Sequence, residues 1–481
     1  PYSCSCSLGS MFQGMNAYAS IPGLAKSDAP VPVVRSVRLD KGPAYGEAGY
    51  GKPAGTGDWP TYRCNGARSG IAGSAMDASL TKRWTVTLPS RPSAVTSAGG
   101  RLFVCGVDAH TLYALNCIDG GKEWSFTTDG RIDSPPTYHR GMVFFGSRDG
   151  WLYCLRAGDG KLVYRFRDLP NRLICAYGQL ESAWPVSGSV LVLNDRLHFS
   201  AGRSSYLDGG IVLYSLDPAT GKLLNSRVIY GPFDSKTGFP VANKKAPGLG
   251  GFKNGIMVTD GANIYLRHKS FTSDLADLTK PQKHIIPLGG FLDRRPQHRT
   301  GWILSTSFNW WQKARDIMVT DGKAMYEVEG FPIFHNHSYF DPRRSGYKLI
   351  ASEPAPSPSP AAVGRKGKAR KGKASRKRGP TRRETWRTNI PITGKALALA
   401  GDVLFVAGEP MTFPGSSYKT YVDAYAGKLG GRLLAVSATE GKQLAEYALD
   451  AAPAWDAIAI ANGQLFVCLE NGTVQCFGRE P

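Results

Sequence analysis

Polar and charged residues gather in four short segments between residues 130 and 210, and they offer the chemistry of a ligand site. The residues are Arg131, Asp133, Arg148, Asp149, Gln179, Glu181, Trp184, Arg203, Ser205 and Asp208. Arginine holds an anion through paired hydrogen bonds, and a carboxylate can bind a cation or the hydroxyl groups of a sugar. The alternative is a structural network in which the same side chains pin neighbouring loops together. Both interpretations stay open at the level of sequence.

Three smaller groups of residues also have both a functional and a structural interpretation. His335 and His337 suit a metal ion, but no third ligand of matching spacing accompanies them, so no metal site is predicted. The pair Trp310–Trp311, with Phe308 and Tyr326, forms either an aromatic platform for a sugar or quinone or a packed interface between sheets.

His110 follows Asp108 in what reads as a hairpin turn. The chain contains no nucleophile elbow, phosphate-binding loop, zinc-protease motif or calcium-binding loop. No catalytic residue is therefore assigned.

Positive charge is concentrated in one segment. The net charge is +21, and eleven lysines and arginines lie between residues 365 and 383. They are Arg365, Lys366, Lys368, Arg370, Lys371, Lys373, Arg376, Lys377, Arg378, Arg382 and Arg383. With the preceding Pro/Ala/Ser-rich stretch, this tract forms a predicted disordered insertion over residues 352–383, between the fifth and sixth of the repeated modules described below. It either binds an anionic polymer or is a solvated loop.

The remaining features of the sequence concern targeting or membrane segments, the first 57 residues and the state of the cysteines. No basic segment followed by an apolar run marks a signal peptide, and no stretch approaches the length of a membrane-spanning helix. Residues 1–57 are predicted to be a linker or the remnant of a preceding domain. The nine cysteines include no CxxC pair, so a zinc knuckle is not expected, and several fall in apolar strand patterns typical of buried thiols.

The elements that position these residues are short repeated modules. Residues 100–124 and 141–164 align as two copies whose starts lie 41 residues apart, the length of a four-stranded propeller blade. Further copies occupy residues 195–224, 401–444 and 462–477, with degenerate copies at 261–271 and 322–330. In each, an apolar strand, a Gly-rich turn and an alternating strand indicate an antiparallel hairpin.

These modules predict an all-β protein, a β-propeller of four-stranded antiparallel blades over residues 58–481. One blade cannot shield both faces of its sheet, whereas a closed ring of blades can. We count seven blades, with an eighth near Trp302–Phe308 as the alternative. The strand around Trp84–Leu88 should close the ring by completing the blade that begins at residue 463.

The turns between modules carry a recognisable motif. Ser215, Asp217, Thr220, Gly221 and Lys222 follow the pattern Ala-x-Asp-x-x-Thr-Gly-Lys-x-x-Trp, and the other modules follow it more loosely. In this the chain resembles the PQQ-like repeat propellers, including those that end large bacterial cell-envelope proteins. The terminal Trp of the motif, which locks successive blades together in the quinoprotein type, is expected here only at Trp124, with Tyr164, Asn225 and Ala445 at the equivalent positions.

The resemblance implies two classes of function. One is a non-catalytic scaffold of the periplasm or cell envelope that binds a protein or small ligand on one propeller face, with no cofactor. The other is a quinoprotein oxidoreductase with pyrroloquinoline quinone (PQQ) and calcium in the central channel. The adjacent cysteines that stack on the quinone in that class are absent here, and the scaffold is the preferred expectation. Polyanion binding by the basic tract is the third hypothesis.

Overall fold

The computed structural model describes residues 35–47, 51–176, 178–241, 251, 253–288, 291, 301–306, 315–330, 346–353 and 383–479. The strands up to residue 229 are β1 (Arg38–Lys41), β2 (Thr81–Thr87), β3 (Thr96–Ala98), β4 (Arg101–Gly106), β5 (Thr111–Asn116), β6 (Lys122–Thr127), β7 (Thr137–His139), β8 (Met142–Gly146), β9 (Leu152–Arg156), β10 (Leu162–Arg167), β11 (Leu173–Ala176), β12 (Gln179–Ser182), β13 (Leu191–Leu193), β14 (Arg196–Ala201), β15 (Ile211–Leu216) and β16 (Leu223–Ile229).

The later elements are β17 (Met257–Thr259), β18 (Asn263–Leu266), β19 (Lys269–Thr272), β20 (His284–Pro287), β21 (Trp302–Ser305), β22 (Ile317–Thr320), β23 (Met325–Glu329), β24 (Tyr347–Glu353), β25 (Arg383–Ile390), β26 (Ala396–Ala400), β27 (Val403–Gly408), helix α1 (Tyr418–Tyr425), β28 (Gly431–Ser437), β29 (Gln443–Leu449), β30 (Pro453–Ala461), β31 (Gln464–Leu469) and β32 (Thr473–Gly478).

Most strands form antiparallel meanders of four. Such sheets are β3–β6, β13–β16, β22–β25 and β26–β29, while β17–β19 has three strands and β20–β21 and β11–β12 have two. The first strands of successive sheets contact one another, from β3 to β7, β13 to β17, β17 to β20, β22 to β26, β26 to β30 and β30 back to β3. They therefore surround a common axis, as expected for a ring of blades. The described strands form seven sheets of three or more strands besides the two pairs, and the number of blades stays a prediction.

The ring closes through a strand from the start of the chain. β2 pairs with β32, with Thr81 opposite Gly478 and Thr87 opposite Thr473, and so completes the sheet of β30–β32. This confirms the predicted closure. The first and last parts of the fold depend on each other because neither makes a four-stranded sheet alone.

A short strand upstream of the predicted propeller also belongs to a sheet. β1 lies next to β10 as the fifth strand of the β7–β10 sheet, with Arg38 opposite Arg167 and Lys41 opposite Tyr164. Ala44, just after it, is fully buried. Residues 38–41 are thus part of the ring, and the linker prediction needs correction for this strand.

Four aromatic residues on the fourth strands of their sheets lock neighbouring sheets together. Their polar atoms donate hydrogen bonds to carbonyl oxygens in the next sheet: Trp84 Nε1 to Cys117 at 3.0 Å, Trp124 Nε1 to Ala157 at 3.1 Å, Tyr164 Oη to Pro218 at 2.8 Å and Trp386 Nε1 to Ala438 at 2.9 Å. Each ring covers a turn glycine of the repeat motif, where a β-carbon would lie within 2.8 Å of the ring. The expectation that Trp124 is the one anchoring Trp was wrong, because Trp84 and Trp386 do the same.

The insertion is shorter than predicted and lies elsewhere in the topology. Ser352 and Glu353 end β24 and Arg383 begins β25, and Glu353 and Arg383 are cross-strand partners. The intervening residues 354–382 therefore connect the third and fourth strands of one sheet instead of two units. They lie outside the described residues, as do Phe308, Trp310, Trp311, His335 and His337.

The described cysteines agree with the expectation of free thiols. Cys105, Cys117, Cys154, Cys468 and Cys476 are free and buried. Among the described residues, no helix has the length and hydropathy needed to cross a bilayer.

One buried histidine predicts a pH-dependent loss of stability. His198 in β14 is fully buried, neither ring nitrogen has a hydrogen-bond partner among the described residues, and burial lowers its pKa to about 4. In the unfolded chain His198 takes up a proton near pH 6.5, whereas in the folded protein it stays neutral down to about pH 4. The folded protein is therefore fully stabilised above pH 6.5, and its free energy of unfolding falls by roughly 3 kcal/mol as the pH drops from about 6.5 to 4.

The variant His198→Leu should lose this part of the pH dependence. Its melting temperature relative to the wild type should rise steadily as the pH falls from 7 to 4.5 in a thermal-unfolding series. Leu197→Val, a neighbouring core change without a titratable group, should keep the wild-type profile. A constant difference between His198→Leu and the wild type would contradict the prediction.

Candidate functional site

The predicted site residues lie at one end of the ring. In a meander of four strands, the turn from second to third strand and the connection to the next sheet lie at the same end, which we call the upper end. Arg131 and Asp133 precede β7, Arg148 and Asp149 lie between β8 and β9, the β11–β12 hairpin lies between two sheets, and residues 203–208 lie between β14 and β15. Topology therefore brings all ten predicted residues to the upper end.

Arg148 is the centre of the first group. Its Nη1 donates to both oxygens of Glu181 at 2.9 and 3.1 Å, and its Nε donates to Asp133. Arg131 Nε lies 3.1 Å from Asp133 Oδ1. All four side chains are buried, and burial raises the pKa of Glu181 although Arg148 opposes the shift. The charges neutralise one another inside the structure.

Two more predicted residues make local hydrogen bonds. Asp149 Oδ2 accepts from the hydroxyl of Tyr153 at 2.7 Å and Oδ1 from the Trp151 N–H at 2.9 Å, and burial raises its pKa. Gln179, near the tip of the β11–β12 hairpin, bonds His110 at 3.0 Å. His110 lies in a turn with φ of 54°, as the sequence suggested.

The remaining predicted residues form a second group on the other side of the hairpin. Asp208 accepts hydrogen bonds from Arg203 and Arg172, and its backbone carbonyl accepts one from Trp184 Nε1 at 2.7 Å. The guanidinium of Arg172 lies 4.9 Å from the Trp184 ring centroid. Ser205 is fully buried. Both groups have the geometry of the structural network that was weighed as the alternative.

The ring axis is occupied by a segment that was not predicted from the sequence. Residues 58–72, which we call the channel segment, contact the first strands of six sheets. The backbone bonds join Trp59 to Ser97, Pro60 to Tyr138, Gly66 to Thr259, Ser69 to Thr320, and both Gly70 and Ala72 to Leu399. The Arg63 side chain reaches Asp456 in β30. Because the first strands surround the axis, this segment fills its centre.

Two buried arginines hold the channel segment in place. Arg63 Nη1 donates to both oxygens of Asp456 at 2.7 and 2.9 Å, and its guanidinium lies 4.4 Å from the ring centroid of Trp302. Arg68 donates to the carbonyl of Met257 at 3.0 Å and to that of Tyr62 at 3.0 Å. Burial lowers the pKa of Arg68 to about 10, so it remains charged at neutral pH.

The described carboxylates of this region do not suit calcium, because the chain's own cations engage them. Calcium prefers six to eight oxygen ligands, with carboxylates free to coordinate it. Here Asp456 is held by Arg63, Asp133 and Glu181 by Arg148, and Glu409 by Lys395 Nζ at 2.7 Å. No group of three or more potential metal ligands occurs within the part of the chain that the structure describes.

One family model matches part of the chain. Residues 69–249 match the family model described as outer membrane protein assembly factor BamB. No curated protein of similar sequence was found.

Three solved structures align with the chain at low sequence identity. A europium-containing methanol dehydrogenase is 12% identical, with a TM-score of 0.52 over 88% of this chain and 98% of that one. Quinohemoprotein alcohol dehydrogenase from Comamonas testosteroni is 13% identical, with a TM-score of 0.49 over 91% and 82%. BamB from Moraxella catarrhalis is 10% identical, with a TM-score of 0.35 over 84% and 98%.

At 12% identity, the likeness to the methanol dehydrogenase shows a shared fold and does not extend to activity. Together with the antiparallel meanders around one axis, it confirms the predicted all-β propeller. The chain is a β-propeller, and its residues 69–249 match the BamB family model.

Proposed function

We propose that this protein is a non-catalytic scaffold of the bacterial cell envelope that binds a protein partner at the upper end of the ring. The observation that carries the proposal is the filled axis. The channel segment lies on the axis, where the resemblance to the dehydrogenase class would put a quinone, and the carboxylate that it contacts there, Asp456, is neutralised by Arg63.

Exposed apolar side chains at the upper end support protein binding there. On the β11–β12 hairpin, Leu173 and Leu180 are 51% and 65% exposed. On α1, which lies between β27 and β28 at the same end, Tyr418 and Val422 are 44% and 40% exposed. Exposed apolar side chains that adjoin one another mark partner contacts, and Leu173 and Leu180 are diagonal neighbours across the hairpin.

Site-specific photo-crosslinking tests the scaffold function. A photoreactive residue at position 180 should capture a discrete partner in intact envelopes, and Leu180→Asp in a second copy should fail to compete for it. The matched control is Ile118, which is 80% exposed. It lies in the turn between the third and fourth strands of its sheet, and therefore at the opposite end of the ring, which we call the lower end. Equal capture from positions 180 and 118 would contradict the proposal.

The oxidoreductase alternative has a direct test. Purified protein is incubated with PQQ and calcium, and quinone absorbance and dye-linked alcohol oxidation are recorded. We expect neither stoichiometric quinone binding nor dye reduction. Turnover that depends on added PQQ would replace the scaffold proposal by the enzyme alternative.

Polyanion binding by the basic tract remains a second candidate function. The described residues that flank the tract are Glu353 in β24 and Arg383 in β25, and this pair lies at the lower end of the ring, opposite the proposed partner surface. Replacing residues 354–382 by a short neutral loop should reduce retention on heparin, and unchanged retention would exclude this role.

A further inference from the structure

Three arginines surround one tryptophan on the sheet that β1 extends. The guanidinium carbons of Arg165 and Arg167 lie 4.4 Å from the ring centroid of Trp151, and that of Arg38 lies 5.2 Å away. Trp151 is only 4% exposed. The arginines are more accessible, since the side chains of Arg38 and Arg165 are 58% and 29% exposed. We call Arg38, Arg165 and Arg167 the arginine patch.

The register of the strands places like charges together. Arg38 lies directly opposite Arg167 in the β1–β10 pair, and Asp40 lies opposite Arg165. Like charges at opposed positions destabilise a sheet. This arrangement costs stability in the isolated protein, and an anionic ligand would offset the cost.

The acidic residues of the surroundings leave the patch with excess positive charge. Asp40 accepts hydrogen bonds from both Arg38 and Arg165, each at 2.9 Å. Asp149 is engaged by Tyr153 and the Trp151 N–H. Arg167 donates to the amide oxygen of Asn171 at 3.1 Å, and it forms no ion pair among the described residues.

We infer that the arginine patch binds an extended acidic segment of a protein partner. The inference rests on the proposed scaffold function and names the chemistry of a partner. Arg165 and Arg167 are two residues apart on one strand, about 6.8 Å, which equals the spacing of alternate side chains in an extended peptide. Carboxylates at alternate positions can therefore each meet one guanidinium, in the planar paired geometry that arginine favours.

A nucleic acid fits this surface less well. Binding of single strands relies on bases stacked against exposed aromatic side chains. Trp151 is covered by the guanidiniums and has almost no free surface. The patch therefore offers charge without a stacking platform.

A fluorescent peptide of alternating glutamate and serine provides the probe, and its affinity is measured by anisotropy at low salt. Arg167→Gln should weaken binding about tenfold, the effect of losing one hydrogen bond to a charged group, and Arg38→Gln combined with it should weaken binding further. Arg101→Gln is the matched control. The Arg101 side chain is 31% exposed and pairs with Glu123, and both residues lie on a sheet other than that of the arginine patch. This control variant should leave the affinity unchanged.

Mapping of the bound peptide separates this surface from the basic tract. A photoreactive version of the peptide should crosslink to residues 35–47 and 162–172. Crosslinks confined to residues 365–378, equal weakening by Arg101→Gln, or equally patch-dependent binding of a thymidine oligonucleotide would overturn the inference. If the peptide does not bind but position 180 still captures a partner, only the inference about the arginine patch is contradicted. If position 180 captures no partner, the proposed scaffold function is contradicted.

Discussion

Replacing Arg63 with alanine should lower the free energy of unfolding by about 3–5 kcal/mol, because it leaves Asp456 buried without a counter-charge. Both side chains are at most 2% exposed, and Arg63 reaches both carboxylate oxygens. The same change removes the guanidinium from the face of Trp302 and so loosens the channel segment from the ring. The measurement is the shift of the urea-unfolding midpoint relative to the wild type, with the dependence of the unfolding free energy on urea concentration unchanged.

A double-mutant cycle distinguishes the ion pair from general packing. Arg63→Met with Asp456→Leu removes both charges, and it should cost clearly less than Arg63→Met alone, since an apolar pair leaves no unpaired buried charge. Arg101→Ala serves as the control because its pairing with Glu123 is exposed, and it should cost less than about 1 kcal/mol. If the double variant were as unstable as the sum of the single variants, the buried pair would not be what holds the channel segment.

Local patterns in the sequence were sufficient to predict the ring of sheets, but they did not predict the channel segment that fills its axis. Alternating strands and Gly-rich turns predicted the meanders, and an unpaired strand at Trp84 predicted the closure onto β32. Arg63 and Asp456, in contrast, are 393 residues apart. The channel segment has no periodicity that would indicate its partners, and two arginines between Trp59 and Ala72 were the available signal.

The aromatic anchors show the same limit. Trp124 was found because it follows its own repeat directly, whereas Trp386 lies beyond residues 354–382 and Trp84 lies on a strand separated from its sheet by most of the chain. For the candidate site, segment positions predicted that the polar residues share one end of the ring. Whether Arg148 would meet a ligand or Glu181 depended on the placement of the β11–β12 hairpin, which residue types alone do not specify.

Trp84 should be the most costly of the anchors to lose, because it lies on the strand that closes the ring. Trp84→Ala should lower the free energy of unfolding by about 3–5 kcal/mol, the usual range for a buried Trp. The ring of Trp84 is 9% exposed and covers Gly120, and its Nε1 donates to the Cys117 carbonyl at 3.0 Å. Trp84→Phe keeps most of the packing but leaves that carbonyl without the indole donor, so it should cost less than Trp84→Ala.

Gly120 provides the test of this contact from the other side. A β-carbon there would lie 2.7 Å from the Trp84 ring, at a φ of 76°. Gly120→Ala should therefore destabilise the wild type through a clash and through backbone strain. In the Trp84→Ala background the clash disappears and the strain remains, so the two changes should couple by about 1–2 kcal/mol. If the losses of unfolding free energy caused by Gly120→Ala and Trp84→Ala were strictly additive, the contact between the Trp84 ring and Gly120 would not contribute to closing the propeller.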